Sequence, residues 1–175
     1  FLNCRVLYVT GATGVGKSTQ VPKLLFYGLK AFNFKISGKM ICTQPRVDPT
    51  VGIPEFVSKE LGLLMKSEIE GEKVNEPALS RYLQYQHQKD KIVDNYTPTF
   101  LKFATDGLFF EQLINNPTLK EENILNLKLK SQKENPFTTK NMYDIIGVDE
   151  AHEHNKNMDY ILTIMRNALY YNNDL

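Results

Sequence analysis

Apolar positions fall along the chain in two kinds of pattern, short β-branched or aromatic runs and stripes at helical spacing. Val6-Leu7-Tyr8-Val9 is a run of the first kind and predicts a strand. Val21, Leu24, Leu25 and Leu29 follow at helical spacing. They predict a helix from about Lys17 to Ala31 whose striped face lies on a sheet. Pro22 sits too deep for the first helical turn and lacks the N–H that would bond to Ser18, so a local kink is expected there. Lys39 to Thr43 predicts the next strand, and a helix joining two strands makes a βαβ unit with a parallel sheet covered on both faces.

Asp48-Pro49 offers a cap and first-turn proline, while Gly52 and Pro54 argue for a broken first turn. The firm helix is therefore expected over Pro54 to Leu61, with Phe56, Val57, Leu61 and Leu64 apolar and Gly62 as its stop. Lys66 to Ser80 reads as surface loop. Tyr82 to Gln86 alternates as a half-exposed strand should, and Phe100 to Ala104 reads as another strand. Thr105-Asp106-Gly107 then caps a helix carrying Leu108, Phe109, Leu113 and Ile114. The Asn- and Lys-rich stretch 115–141, with one candidate element at Ile124 to Leu129, reads as a surface insertion. Asp144 to Val148 is the clearest strand of the second half. The last helix runs from Asn157, its expected cap, to about Tyr171, with Met158, Ile161, Leu162, Met165, Ala168 and Leu169 on one face.

The chemistry begins where the first predicted strand ends. Gly11-Ala12-Thr13-Gly14-Val15-Gly16-Lys17-Ser18-Thr19 meets the P-loop pattern, with a strand expected before it and a helix after it. Glycines there let backbone N–H groups curl around phosphate oxygens, and the helix N-terminus adds positive potential. Lys17 is placed to neutralise the outer phosphates of ATP or another NTP, and the Ser18 hydroxyl to hold one position on Mg2+. The second constellation is Asp149-Glu150-Ala151-His152, delivered by the strand that ends at Val148. Ligands of parallel α/β sheets bind outside the carboxyl ends of the strands. There Asp149 would serve Mg2+, and Glu150 would orient and deprotonate an attacking water, which points to hydrolysis rather than transfer to a hydroxyl.

Other readings fit less well. His152 and His154 with Glu153 suggest a metal site, but no third His or Cys stands at ligand spacing. Asn155-Lys156-Asn157-Met158-Asp159 misses the guanine-recognition spacing N-K-x-D by one residue. Composition narrows the rest. The 175 residues suit one domain, and 21 Lys plus Arg against 20 Asp plus Glu give a net charge of +1. No global basic field advertises nucleic acid, so such contacts must be local. Cys4 and Cys42 match no metal spacing and suggest reduced thiols in a cytoplasmic setting. No apolar run approaches the ~20 residues of a membrane span. The chain starts without Met, almost at the P-loop, and is expected to be cut from a longer protein.

Together these segments resemble the first motor domain of superfamily two helicases of the DEAH/RHA group. The residues that carry the resemblance are the P-loop, its continuation Gln20-Val21-Pro22, the Asp-Glu-Ala-His tetrad, Thr43-Gln44-Pro45-Arg46 in the place of motif Ia, and Thr105-Asp106-Gly107 in that of motif Ib. Two departures are visible. The tetrad continues as Glu153-His154 rather than Glu-Arg, which with the long spacer looks more like the poxvirus-type nucleoside triphosphate phosphohydrolase II of large DNA viruses. The chain also stops before a Ser-Ala-Thr motif and a second motor domain with its arginine fingers. The resemblance implies a RecA-like P-loop NTPase domain of the α/β class over residues 1–175, mainly parallel, flanked by helices and lacking its last strands. It implies an ATP-dependent RNA helicase using ATP and Mg2+, nearly inactive as an isolated piece. Phosphate contacts fall to Pro45, Arg46, Thr105, Asp106 and Gly107, and His152 couples the nucleotide site to the partner RecA-like domain. DNA translocation or packaging is the enzymatic alternative, and a nucleotide-binding module without turnover the other.

Overall fold

The computed structural model describes residues 5–32, 38–62, 82–93, 100–120, 141–153 and 155–171. In chain order these form α1 (Lys17–Phe32), β1 (Lys39–Gln44), α2 (Val47–Leu61), β2 (Leu83–Gln86), β3 (Lys91–Ile92), β4 (Phe100–Thr105), α3 (Asp106–Asn115), β5 (Ile145–Val148) and α4 (Lys156–Tyr171). The expected loop at 66–80, the element at 124–129 and most of the insertion fall outside these residues.

The sheet has the order β3-β2-β4-β1-β5. All neighbours are parallel except the short β2–β3 pair, so the expected α/β architecture is present. Side chains alternate across the sheet and feed two cores. Met40, Cys42, Leu101 and Phe103 pack with Phe26 and Val57 on the α1–α2 side. Ile41 and Ala104 pack with Phe109, Leu113, Tyr143 and Ile161 on the α3–α4 side. Covering on both faces explains why β1 and β4 read as nearly continuous apolar runs. β2 is buried for the same reason: it lies between β3 and β4, and Leu83, Gln84 and Tyr85 are all buried rather than half-exposed.

Several expectations are corrected. Val6 to Val9 forms no strand: Val6 is 51% exposed, Leu7 57%, Tyr8 88% and Val9 47%. A strand exists only through a ladder partner, and the described sheet ends at β5 with no strand on its outer side. The βαβ unit around α1 is therefore not formed, and the parallel sheet is built from the other crossovers. The inward face of α1 is rotated one position from the predicted stripe. Pro22 and Phe26 are buried and Leu25 and Leu29 pack against the core, whereas Leu24 is 65% exposed. The helix continues through Pro22.

α2 starts at Val47, a full seven residues before Pro54. Arg46 is its extended N-cap, with φ −128° and ψ 154°. Pro49 falls in the first turn, where its missing N–H costs nothing. Thr50 Oγ1 donates to Arg46 O at 2.7 Å, and burial of Thr50, Pro54, Val57 and Ser58 carries the helix past Gly52 and Pro54. Gly62, at φ 65°, ends it as expected. The cap of α4 is Asn155 rather than Asn157, its Oδ1 accepting the Met158 N–H at 2.8 Å.

The rotated face of α1 yields an expected outcome. Phe26→Ala should cost about 3–5 kcal/mol in urea denaturation, whereas Leu24→Ala should stay within about 0.5 kcal/mol of the parent; the reverse order would restore the predicted stripe.

Candidate functional site

The loop before α1 takes the shape that its glycines permit. Gly14 and Gly16 have φ 81° and 83°, and the Gly16 carbonyl accepts the Thr19 and Gln20 N–H groups at 3.2 and 2.7 Å, opening the helix. Lys17 Nζ folds back and donates to the Gly11 and Ala12 carbonyls at 2.8 and 2.7 Å. The Lys17 ammonium is thus held over its own loop. The Ser18 hydroxyl makes no hydrogen bond among the described residues. Below the loop, Gln20 Nε2 donates to both Glu60 oxygens (3.2 and 3.0 Å), and Lys23 Nζ pairs with Glu60 at 2.7 Å, clamping α1 to α2. This bonding, Lys23 first, holds the Glu60 carboxyl below its usual range.

The Asp-Glu-Ala-His turn leaves the carboxyl end of β5 and is fastened at several points. Asp149 N–H extends the ladder to Thr43 O at 3.3 Å, and Gln44 Nε2 donates to Asp149 Oδ2 at 2.8 Å. Glu150 adopts φ 51°, a left-handed conformation that is uncommon for a residue with a Cβ. Its N–H donates to Asp149 Oδ1 at 2.9 Å, its carbonyl accepts the Glu153 N–H at 2.9 Å, and its Oε2 lies 3.3 Å from His152 Nε2. Among the described residues, no hydrogen bond or ion pair joins this turn to the P-loop, and no three His, Cys, Asp or Glu cluster as a metal site.

The residues expected at nucleic acid gather at the same sheet edge and behave differently from one another. Pro45 is half-buried behind Arg46. Arg46, its side chain 71% exposed, pairs with Glu153 at 2.9 Å. Thr105 is an extended N-cap without a side-chain cap bond, so the first N–H groups of α3 take no hydroxyl partner from it. Gly107 faces Asn157, whose Nδ2 lies 3.5 Å from where a Cβ would stand. Asp106, expected at a phosphate, is instead 2% exposed. Its Oδ2 accepts from Asn155 Nδ2 at 3.1 Å, and its Oδ1 is enclosed, as is Thr43 Oγ1. Burial pushes the Asp106 carboxyl above its usual range; the side chains of Asn155 and Thr43 oppose this, and the charges of Glu153 and Asp149 add to it. Asp106 is thus a buried tie between α3 and α4.

Gln44, Glu153 and Asn155 stand in segments that the sequence marks, but none is assigned a bond or a role at this site from the sequence. A cap-type residue three positions before Met158 was a usable signal for Asn155. The pairings of Gln44 and Glu153 cross more than a hundred residues and leave no local trace.

Known proteins add to this picture. Over 99% of its length the chain is 45% identical to a candidate ATP-dependent RNA helicase of Acanthamoeba polyphaga mimivirus. It is 30% identical over 94% of its length to the ATP-dependent RNA helicase HrpA of Borreliella burgdorferi. It is also 30% identical over 98% to the DHX35 helicase homolog of Caenorhabditis elegans. The crystal structure of the Escherichia coli DEAH/RHA helicase HrpB superposes with a TM-score of 0.56 at 19% identity, covering 91% of this chain and 15% of that one. Over nearly its whole length the chain is thus similar to proteins named ATP-dependent RNA helicases. The HrpB likeness shows the fold, RecA-like α/β. The chain spans 10%, 15% and 18% of the three sequence relatives. No protein-family model matches it. No helix among the described residues is long and apolar enough to cross a membrane.

The buried carboxyl of Asp106 gives a signed pH prediction. A folded-state value above the unfolded one leaves stability intact below the unfolded value of about 3.9. Stability is then lost as pH rises through the raised folded value. Asp106→Asn removes this term, so its stability relative to the parent should improve from pH 4 to pH 7 in urea titrations. A pH-independent difference would show that Asp106 ionises freely in the fold.

Proposed function

We propose that the chain is the N-terminal ATP-binding motor domain of an ATP-dependent RNA helicase, a single domain over residues 1–175 with an insertion at 115–141. The observation that carries this reading is the Asp149-Glu150 turn bonded side chain to side chain with the strand end that presents Arg46, in a chain whose α1 opens with a P-loop. In this reading the loop 11–19 wraps the phosphates of ATP with backbone N–H groups. Lys17 leaves the Gly11 and Ala12 carbonyls for phosphate oxygens. Its resting contacts mark a cation held where anionic charge is to arrive.

The hard oxygen donors Ser18 Oγ, which makes no hydrogen bond among the described residues, and Asp149, a carboxylate at a strand end, suit Mg2+, which would neutralise charge on the phosphates. Glu150 accepts the proton of the attacking water, and its carboxylate is only lightly engaged, by His152 at 3.3 Å. His152, its side chain 79% exposed, faces away from the core as a residue contacting the second RecA-like domain would. Arg46 and the α3 N-terminus at Thr105 and Gly107 contact RNA phosphates, giving affinity without base readout. The names of the relatives favour RNA over the DNA translocase alternative. A cytoplasmic setting agrees with the free, buried Cys42 thiol.

Two outcomes test this. The chain alone should bind ATP with Mg2+ in titration calorimetry, and Lys17→Ala should abolish that binding. Its turnover should be very low, because an arginine finger from another domain is worth about 10^3 to 10^5 in rate. In the full-length protein, Glu150→Gln should retain ATP and RNA binding yet lose turnover by about 10^2 to 10^4. Asp149→Asn should also lose the Mg2+-dependent part of nucleotide binding. Near-parent hydrolysis by Glu150→Gln would remove Glu150 from the catalytic role.

A further inference from the structure

Glu153 makes two bonds that link separate parts of the site. Its carboxylate Oε1 accepts from Arg46 at 2.9 Å, and its backbone N–H donates to the Glu150 carbonyl at 2.9 Å. The first bond occupies the cation offered by the end of β1. The second closes the turn in which Glu150 is held at φ 51°. A left-handed non-glycine residue persists only when its surroundings over-determine it, and Glu153 is one of those surroundings. A carboxylate and a phosphate present similar oxygens to a guanidinium, so the two compete for the same N–H donors.

We propose that Glu153 is a positioning residue that stands on Arg46 where an RNA backbone phosphate would sit, so that RNA binding displaces it and frees the turn that carries Glu150. This rests on the assignment of Arg46 to an RNA phosphate made above. The pair is exposed enough for exchange, with side-chain exposures of 71% for Arg46 and 29% for Glu153. An exposed ion pair of this kind is weak, so the competition amounts to about 1.5- to fivefold in affinity. It is a bias on RNA binding, and the incoming phosphate overcomes it readily. Neighbouring negative charge matters to the design of a test, because Asp106, Asp149 and Glu150 share this edge. Removing any one carboxylate would favour a polyanion to some extent, and only the part that requires Arg46 belongs to the proposed displacement.

The test is a double-mutant cycle on the 175-residue chain, with fluorescence anisotropy of a labelled oligo(U) dodecamer at low salt as readout and thermal melting as the folding control. The parent, Glu153→Gln, Arg46→Gln and the double variant are compared. Glu153→Gln should tighten binding by about 1.5- to fivefold, a gain that a merely structural residue would not give. The same change in the Arg46→Gln background should tighten binding clearly less than it does in the parent. Equal tightening in both backgrounds, or weakened binding in the folded single variant, overturns the proposal. A parent whose affinity depends on Arg46 but is unmoved by Glu153→Gln overturns the displacement alone. A parent indistinguishable from Arg46→Gln overturns the RNA role of Arg46, and the displacement with it.

Discussion

Pairing of β1 on both flanks is the constraint from which the rest of the carboxyl edge follows. Lys39–Gln44 is hydrogen-bonded to β4 on one side and to β5 on the other, with Met40 opposite both Leu101 and Ile145. A slip of one residue would exchange the two faces, sending Met40 and Cys42 toward α3 and α4 and Ile41 toward α1 and α2. The register is fixed further at Gly147, where a Cβ would meet Cys42 Sγ at 3.3 Å, so the β5 backbone comes close to β1 at a point where a side chain would press on it. With β1 in place, Gln44 emerges almost fully buried and reaches Asp149, and Arg46 follows two residues later beside Glu153.

What β1 positions, short-range bonds then keep in a conformation the backbone would not choose by itself. The turn at 149–153 carries Glu150 in the left-handed region, and each flanking residue is tied elsewhere: Asp149 to Gln44, Glu153 to Arg46, and beyond it Asn155 to Asp106. A left-handed non-glycine residue costs on the order of 1–3 kcal/mol. The three ties come from the end of β1 and from the starts of α2 and α3, so the strain at Glu150 is borne by the sheet edge as a whole.

Much of this was legible in the sequence because its signals were local. The runs at 39–43, 100–104 and 144–148 gave strands within a residue or two of their observed limits, since buried parallel strands announce themselves as unbroken apolar stretches. Gly62 ended α2 as its freedom at positive φ requires. The glycine-rich loop at the start of α1 and the Asp149-Glu150 pair at the end of β5 could be placed because both signals are spacings along the chain. The failures share a cause in tertiary context. Gly52 and Pro54 argue against a helix, but a buried face outweighs them. The stripe of α1 was displaced by one position because Phe26, omitted from it, supplies the buried ring. The two-residue β3 is too short to have a period. Asp106 looked like a solvent-facing cap because nothing near it in sequence reveals Asn155, which meets it from another helix.

Among the described residues no strand pairs with the outer side of β5, and this has a consequence for handling the molecule. An edge of four residues to which no described strand is joined, and an exposed Val-Leu-Tyr-Val segment elsewhere in the chain, are both templates for strand addition. Natural edges are blunted by charge, proline or a bulge, yet Ile145-Ile146-Gly147-Val148 carries none of these. When produced by itself the domain is therefore a candidate for concentration-dependent self-association through backbone pairing.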